Sequence, residues 1–138
     1  MKLSAKGRYA PPPTLPKHAQ TVSEALASWH GVLARTHWFL GDDSQVDGAD
    51  FYVDEDELGH LHLDGEAHIA VSAALREALI SAGLAKSFRW SPKFVVFQIR
   101  AAKDVAPAKQ LFELAYDRLR GTPESDLLAR VASSTACG

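Results

Sequence analysis

Apolar positions along this chain follow two different periods, and the changes from one to the other mark its elements. Val22, Leu26, Trp29 and Leu33 stand four, three and four residues apart, one stripe on a helix of 3.6 residues per turn. Thr21-Val-Ser-Glu24 fits a capping box in front of that stripe, so the first helix is expected to start near Thr21. Short apolar runs follow at residues 37–40 and 49–53, bounded by Gly41-Asp-Asp-Ser44 and Asp47-Gly48. A charged turn, Asp54-Glu-Asp-Glu57, leads into a third run at residues 58–63. Strands joined by turns this short pair antiparallel.

Beyond Asp64-Gly65 the helical period returns. Ser72 is placed to cap a helix over 73–82 that carries Leu75, Leu79 and Ile80, with Gly83 just past its end. Residues 86–90 and 94–100 read as a hairpin around Ser91-Pro92-Lys93, and Phe94-Val-Val-Phe97 is apolar on both faces, as a central or covered strand is. A third helix over 105–120 turns Ala108, Leu111, Phe112, Ala115, Tyr116 and Leu119 inward and stops at Gly121. The expected fold class is α+β in two layers: an antiparallel sheet of about five strands packed against about three helices. Four prolines in residues 1–19 predict an extended arm, residues 20–121 a single domain, and residues 122–138 a short helix with a frayed tail.

Composition narrows the function classes. A length of 138 residues buries one core, and a net charge of −2 does not suit a general polyanion binder. The average conceals a division. Ten of the seventeen acids lie between Arg35 and Arg76, where there is no Lys or Arg, whereas residues 76–109 hold seven basic side chains against Glu77 and Asp104. Such asymmetry suits ligand steering or self-association, so a homodimer is a compatible state. The single cysteine, Cys137, precludes an internal disulfide. No apolar run approaches the roughly 18–20 residues that span a bilayer, and the basic N-terminus lacks the apolar stretch of a signal peptide, so the sequence reads as cytoplasmic.

Candidate chemistry concentrates in residues 57–68, which hold His60, His62 and His68 and the three carboxylates Glu57, Asp64 and Glu66. On a strand His60 and His62 project to the same side, opposite Leu61 and Leu63. Three readings are compatible with that pair: polar residues on a solvated sheet face, a small-ligand pocket, or a divalent metal held by His60, His62 and Asp64. Gln98 and Arg100 share one face of the last long strand and are candidate lining for the pocket. A histidine beside Glu57 or Asp64 can serve as a general base, but no nucleophile setting or phosphate loop is recognisable, so no reaction is assigned. The alternative to a pocket is an interaction module using the sheet face or the basic-aromatic hairpin 86–94, where Lys86, Arg89 and Lys93 alternate with Phe88, Trp90 and Phe94. Nucleic acid is a poor partner for the acidic stretch.

From Tyr9 to Leu119 the order of features resembles the luciferase-domain family. The resemblance is carried by the Pro-rich arm, the first helix, two strands, Gly59-His-Leu-His-Leu-Asp-Gly65, Ala74-Leu-Arg-Glu-Ala-Leu79, Gly83, the Phe94-Val-Val-Phe97 strand and Tyr116 in the last long helix. It implies the same fold and a site at the histidine strand. Relatives tend to carry Asp where this chain has His68, Pro-Phe at Ala70-Val71, a His-His pair at Ser87-Phe88 and Trp at Phe94. His68 is therefore expected to be incidental to the site.

Overall fold

A computed structural model describes residues 2–3, 7–39 and 42–136; Cys137, Leu40 and Gly41 lie outside the described residues, and Asp42–Ser44 of the turn expected at residues 41–44 are instead in a strand. Six strands form one antiparallel sheet: β1 (Val32–Phe39), β2 (Asp42–Val53), β3 (Asp56–His62), β4 (Glu66–Ala70), β5 (Lys86–Ser87) and β6 (Phe94–Gln98), in the order β1-β2-β3-β4-β6-β5. The helices are α1 (Lys17–Ala27), α2 (Ala73–Ser81), α3 (Val105–Leu119) and α4 (Glu124–Ala136). The two-layer α+β expectation holds. Among the described residues, no helix is long and apolar enough to cross a membrane.

The core lies between sheet and helices. Ala49 and Phe51 of β2, Leu58 and Leu61 of β3, Ala67 and Ile69 of β4 and Val95 of β6 meet Val22 and Leu26 of α1, Leu75 and Leu79 of α2, and Ala108, Phe112 and Ala115 of α3. Ser72 Oγ accepts from the Leu75 amide as expected of an N-cap. At the other end of α2 the Leu84 amide reaches the Leu79 carbonyl across Gly83, a Schellman closure.

Three expectations are corrected. The first helix begins at Lys17, directly after Pro16, and Thr21 Oγ1 bonds the Lys17 carbonyl inside it, so the Thr21–Glu24 box does not form. Gln20 Oε1 instead accepts from the Leu15 amide at 2.8 Å, closing the entry from one turn inside. Second, the stripe counted through Leu33 crosses an element boundary: α1 ends at Ala27, the chain turns at Gly31, and Leu33 lies in β1 with 38% of its surface exposed. Third, Glu66–Ala70 is a strand that the apolar pattern did not announce. Ala67 is too small to signal a buried position, but it and Ile69 alternate with Glu66 and His68 as a half-buried strand does. The expected hairpin pairs as predicted, although β5 shrinks to Lys86–Ser87. The terminal helix is longer than expected, running from Glu124 to Ala136, with Leu127 fully buried and Val131 nearly so.

The arm covers the free edge of β1. The Thr36 amide donates to the Ala10 carbonyl, and its hydroxyl donates to the Pro11 carbonyl at 2.6 Å. Arg35 donates to the carbonyls of Gly7 and Arg8, and the Arg8 guanidinium lies 4.4 Å from the Trp38 ring centroid. Among the described residues the Thr36 amide of this edge is thereby paired, which shortens the row of free amides it offers to another chain.

Candidate functional site

The sheet face away from the core is defined by register. One row of paired residues crosses all six strands: Arg35, Asp50, His60, His68, Val96 and Lys86. In the neighbouring row His37 and His62 flank Gly48, which puts no side chain between them. Strand alternation then places Tyr52, Glu66 and Phe94 on the same face.

One irregularity completes the set. Phe51 pairs with Gly59 but Tyr52 pairs with Glu57, so Leu58 is an extra residue in β3. This β-bulge turns Leu58 into the core and brings Glu57 and His60, three residues apart, to the same side. The Glu57 carboxylate and His60 Nδ1 lie 2.7 Å apart, with both side chains buried. Gly59 permits the bulge. Its φ is +155°, and a Cβ there would lie 2.4 Å from the His68 carbonyl oxygen and 2.7 Å from Phe112. Gly65 has a comparable role at the next turn, where a Cβ would lie 2.5 Å from the Ile99 carbonyl oxygen.

Four of the six histidines meet on this face. His37 stacks on His60 with centroids 4.1 Å apart and planes 10° apart; the His60 and His62 centroids are 4.9 Å apart, and those of His62 and His68 are 4.5 Å apart. Each ring has a nitrogen against a carboxylate, and His37 Nε2 lies in addition 3.5 Å from Asp47. Asp50 lies 2.9 Å from His37 Nδ1, Glu57 is on His60 Nδ1, Asp47 lies 3.1 Å from His62 Nδ1, and Glu66 lies 2.7 Å from His68 Nε2. His60 Nε2 and His68 Nδ1 face each other at 3.1 Å. Phe88 packs against His68 at 4.6 Å and Phe94 against His60 at 5.7 Å, which gives the cluster an apolar wall.

Burial sets the charge state. His60 is held well below the ordinary imidazole value by burial, reinforced by the nearby His37, His68 and His62 rings against the pull of Asp50. His68 is lowered by burial, partly offset by its hydrogen bond to Glu66. Both are therefore neutral near pH 7, able to accept or pass a proton or to ligate a metal. Tyr52 donates to Asp50 at 3.2 Å, and burial, with Asp50 and Glu57 nearby, holds its phenol protonated.

The residues expected from the sequence divide into two groups. His60 and His62 share a face, as anticipated, but His60 is buried among the other rings instead of solvated. His68, expected to be incidental, is in direct contact with His60. His37 was hidden in a run that read as apolar and aromatic. Its signal was the acid it pairs with across the hairpin, which no spacing rule reveals. Asp64 is an exposed turn residue whose carboxylate accepts from the Glu66 amide. Gln98 donates to the Asp64 carbonyl and so braces that turn. Arg100 lies beyond the end of β6, exposed, with its amide bound by Asp104. Three imidazoles, His37, His60 and His62, have nitrogens mutually within 4.8 Å; Asp50, Glu57 and His60 form a second such group, and Asp64 is in neither. In the basic hairpin Phe88 and Phe94 turn toward the histidines, while Trp90 is 74% exposed with the Arg89 guanidinium 4.6 Å from its ring centroid.

Residues 55–115 match the family model of the luciferase domain. The match supports a protein of the luciferase-domain family, and its span takes in His60, His62, His68 and their carboxylates Glu57 and Glu66, but not His37, Asp47 or Asp50. No curated protein and no solved structure matches the chain.

Proposed function

We propose that the helix-free sheet face binds a small molecule, with His60 and His62 at its centre and Phe88 and Phe94 as its apolar wall. One observation carries this reading: four imidazoles converge on a single face, each oriented by its own carboxylate. Orienting four rings in this way costs side-chain entropy and buries polar groups, with no gain to the core on the other face. Neutral imidazoles beside aromatic walls suit a flat ligand that bears an acidic hydroxyl or a carbonyl group. A histidine held neutral by burial can also accept a proton from such a hydroxyl.

His62 is the residue to test, because it is half-buried and its removal spares the core, whereas His60 is buried between Glu57 and His68. A panel of phenols and aromatic carboxylic acids is titrated into chelator-treated protein labelled with ¹⁵N-histidine. At least one compound should move the imidazole nitrogen signals of His60 and His62, and His62→Ala should weaken its binding tenfold or more without a comparable fall in melting temperature. A panel that moves no imidazole signal, or binding undiminished in His62→Ala, overturns the reading.

A further inference from the structure

We propose that the imidazoles of His37, His60 and His62, with His68 closing the shell, bind a divalent transition-metal ion. This rests on the site proposed above and names a cation for it.

The hydrogen-bonded chain through the cluster poses the problem that an ion would solve. Glu57, His60, His68 and Glu66 are joined by three contacts of 2.7, 3.1 and 2.7 Å. Three hydrogen bonds need three protons, and two neutral imidazoles carry two. If His60 donates from Nδ1 to Glu57 and His68 donates from Nε2 to Glu66, both outer contacts are satisfied. The inner nitrogens, His60 Nε2 and His68 Nδ1, then present two lone pairs to each other at 3.1 Å. A shared cation satisfies both. Ligand nitrogens about 2.0–2.1 Å from tetrahedral zinc stand about 3.3 Å apart, close to the spacing found here.

The remaining rings fit the same pattern. His62 has its Nδ1 against Asp47, which leaves Nε2 as the donor nitrogen, while His37 has Nδ1 against Asp50 and Nε2 3.5 Å from Asp47, a looser contact that it gives up on entering the shell. Metal-bound histidines nearly always donate their other N–H to a carboxylate or carbonyl, which fixes the tautomer and the ring plane. Here all four do. His37 now stacks face to face on His60, so its entry into the shell requires a turn about Cβ–Cγ, a soft torsion. The donor set is imidazole with carboxylates behind it, and the only cysteine is Cys137. That chemistry favours zinc, cobalt or nickel over the oxygen-seeking magnesium and calcium. Asp47, Asp50, Glu57 and Glu66 supply the negative charge that holds a dication.

Cobalt(II) is the probe, titrated into the full chain after chelator treatment and dialysis. One equivalent should give visible d–d bands of tetrahedral or five-coordinate intensity, removed by one equivalent of zinc. His62→Ala should lose tenfold or more in affinity. Glu57→Gln, which keeps the imidazole ligands but weakens the orientation of His60, should lose about tenfold or more, as loss of a carboxylate behind a ligating imidazole does. Sub-stoichiometric or purely octahedral cobalt, or equal affinity in wild type and His62→Ala, overturns the proposal. If His62→Ala is not folded, Asp47→Asn replaces it under the same criterion. The organic panel separates the two readings. Imidazole shifts with that panel in chelated protein but no cobalt site leave the pocket standing without the ion. Stoichiometric cobalt with no panel binding leaves the ion standing without the pocket.

Discussion

Replacing Gly59 with alanine tests whether the β3 bulge builds the site, because the added methyl has nowhere to go. Its Cβ would sit 2.4 Å from the His68 carbonyl oxygen and 2.7 Å from Phe112, and the first of these is backbone that no rotamer change can move. The backbone φ of +155° adds strain for any L side chain, of order 1–3 kcal/mol. Overpacking a tight site adds about 1–3 kcal/mol. The sum is about 2–6 kcal/mol, a large share of the roughly 5–15 kcal/mol that holds a domain together. Urea unfolding followed by circular dichroism measures the loss. Gly83→Ala is the control: its φ is also positive, at +72°, but nothing lies within 4 Å of the new Cβ. The left-handed conformation costs about 1–2 kcal/mol there, and the stiffer unfolded chain returns about 0.4–1 kcal/mol. Gly59→Ala should therefore be the more damaging by at least about 1 kcal/mol. The folded fraction of Gly59→Ala should also lose the far-downfield proton resonance of the His60 Nδ1–H bound to Glu57, since relaxing the clash pushes β3 away from β4. A Gly59→Ala protein within about 0.5 kcal/mol of wild type would refute the argument that close packing of β3 forces glycine here.

Two further outcomes check other parts of the structure. Leu127 of α4 is fully buried, so Leu127→Ala should cost about 2–5 kcal/mol in urea unfolding; a loss under about 1 kcal/mol would mean that α4 is not part of the cooperative core. The lowered His60 and His68 values give stability a pH dependence below the ordinary imidazole value of 6.5. Unfolding lets both rings take up protons that the fold resists, so their contribution is complete above about pH 6.5 and is lost as pH falls through the lowered folded-state values. Chelated protein should thus weaken from pH 7 to 5, and His68→Gln should flatten that slope; an unchanged slope in the variant contradicts the assignment.

Much of the fold was legible because burial writes a period into the sequence. Ser72, Gly83 and Gly121 mark helix ends by local hydrogen bonding and backbone sterics, and the structure keeps all three boundaries within a residue or two. The missed elements had weak or borrowed signals. β4 buries Ala67, which carries little apolar weight, and the α1 stripe took Trp29 and Leu33 from the turn and strand beyond it. The site was half legible. His60 and His62 share a face by strand parity alone, but His37 and His68 join them by register between strands, and register depends on turns and a bulge that periodicity does not encode.

The charge division in the sequence takes on a different meaning in three dimensions. Ten carboxylates without a cation between Arg35 and Arg76 read as an acidic surface, yet Asp47, Asp50, Glu57 and Glu66 each hold an imidazole. Of the other six, Asp42, Asp43, Asp54, Glu55, Asp56 and Asp64 stand at strand ends or in turns, where Asp42 binds Ser44 and Asp64 binds the Glu66 amide. The absence of Lys and Arg from this stretch then has a local reason. A cation within reach would compete with the histidines for the same four carboxylates and release the rings to other rotamers. Arg35, the one guanidinium in the central row, spends donors on the Gly7 and Arg8 carbonyls, although its charge still reaches Tyr52. The Pro-rich arm thus keeps a competing charge occupied at the margin of the site while it pairs the Thr36 amide of the β1 edge. Its removal should disturb the histidine face as well as expose the edge, which ties a segment distant in sequence to the orientation of the His37–Asp50 pair.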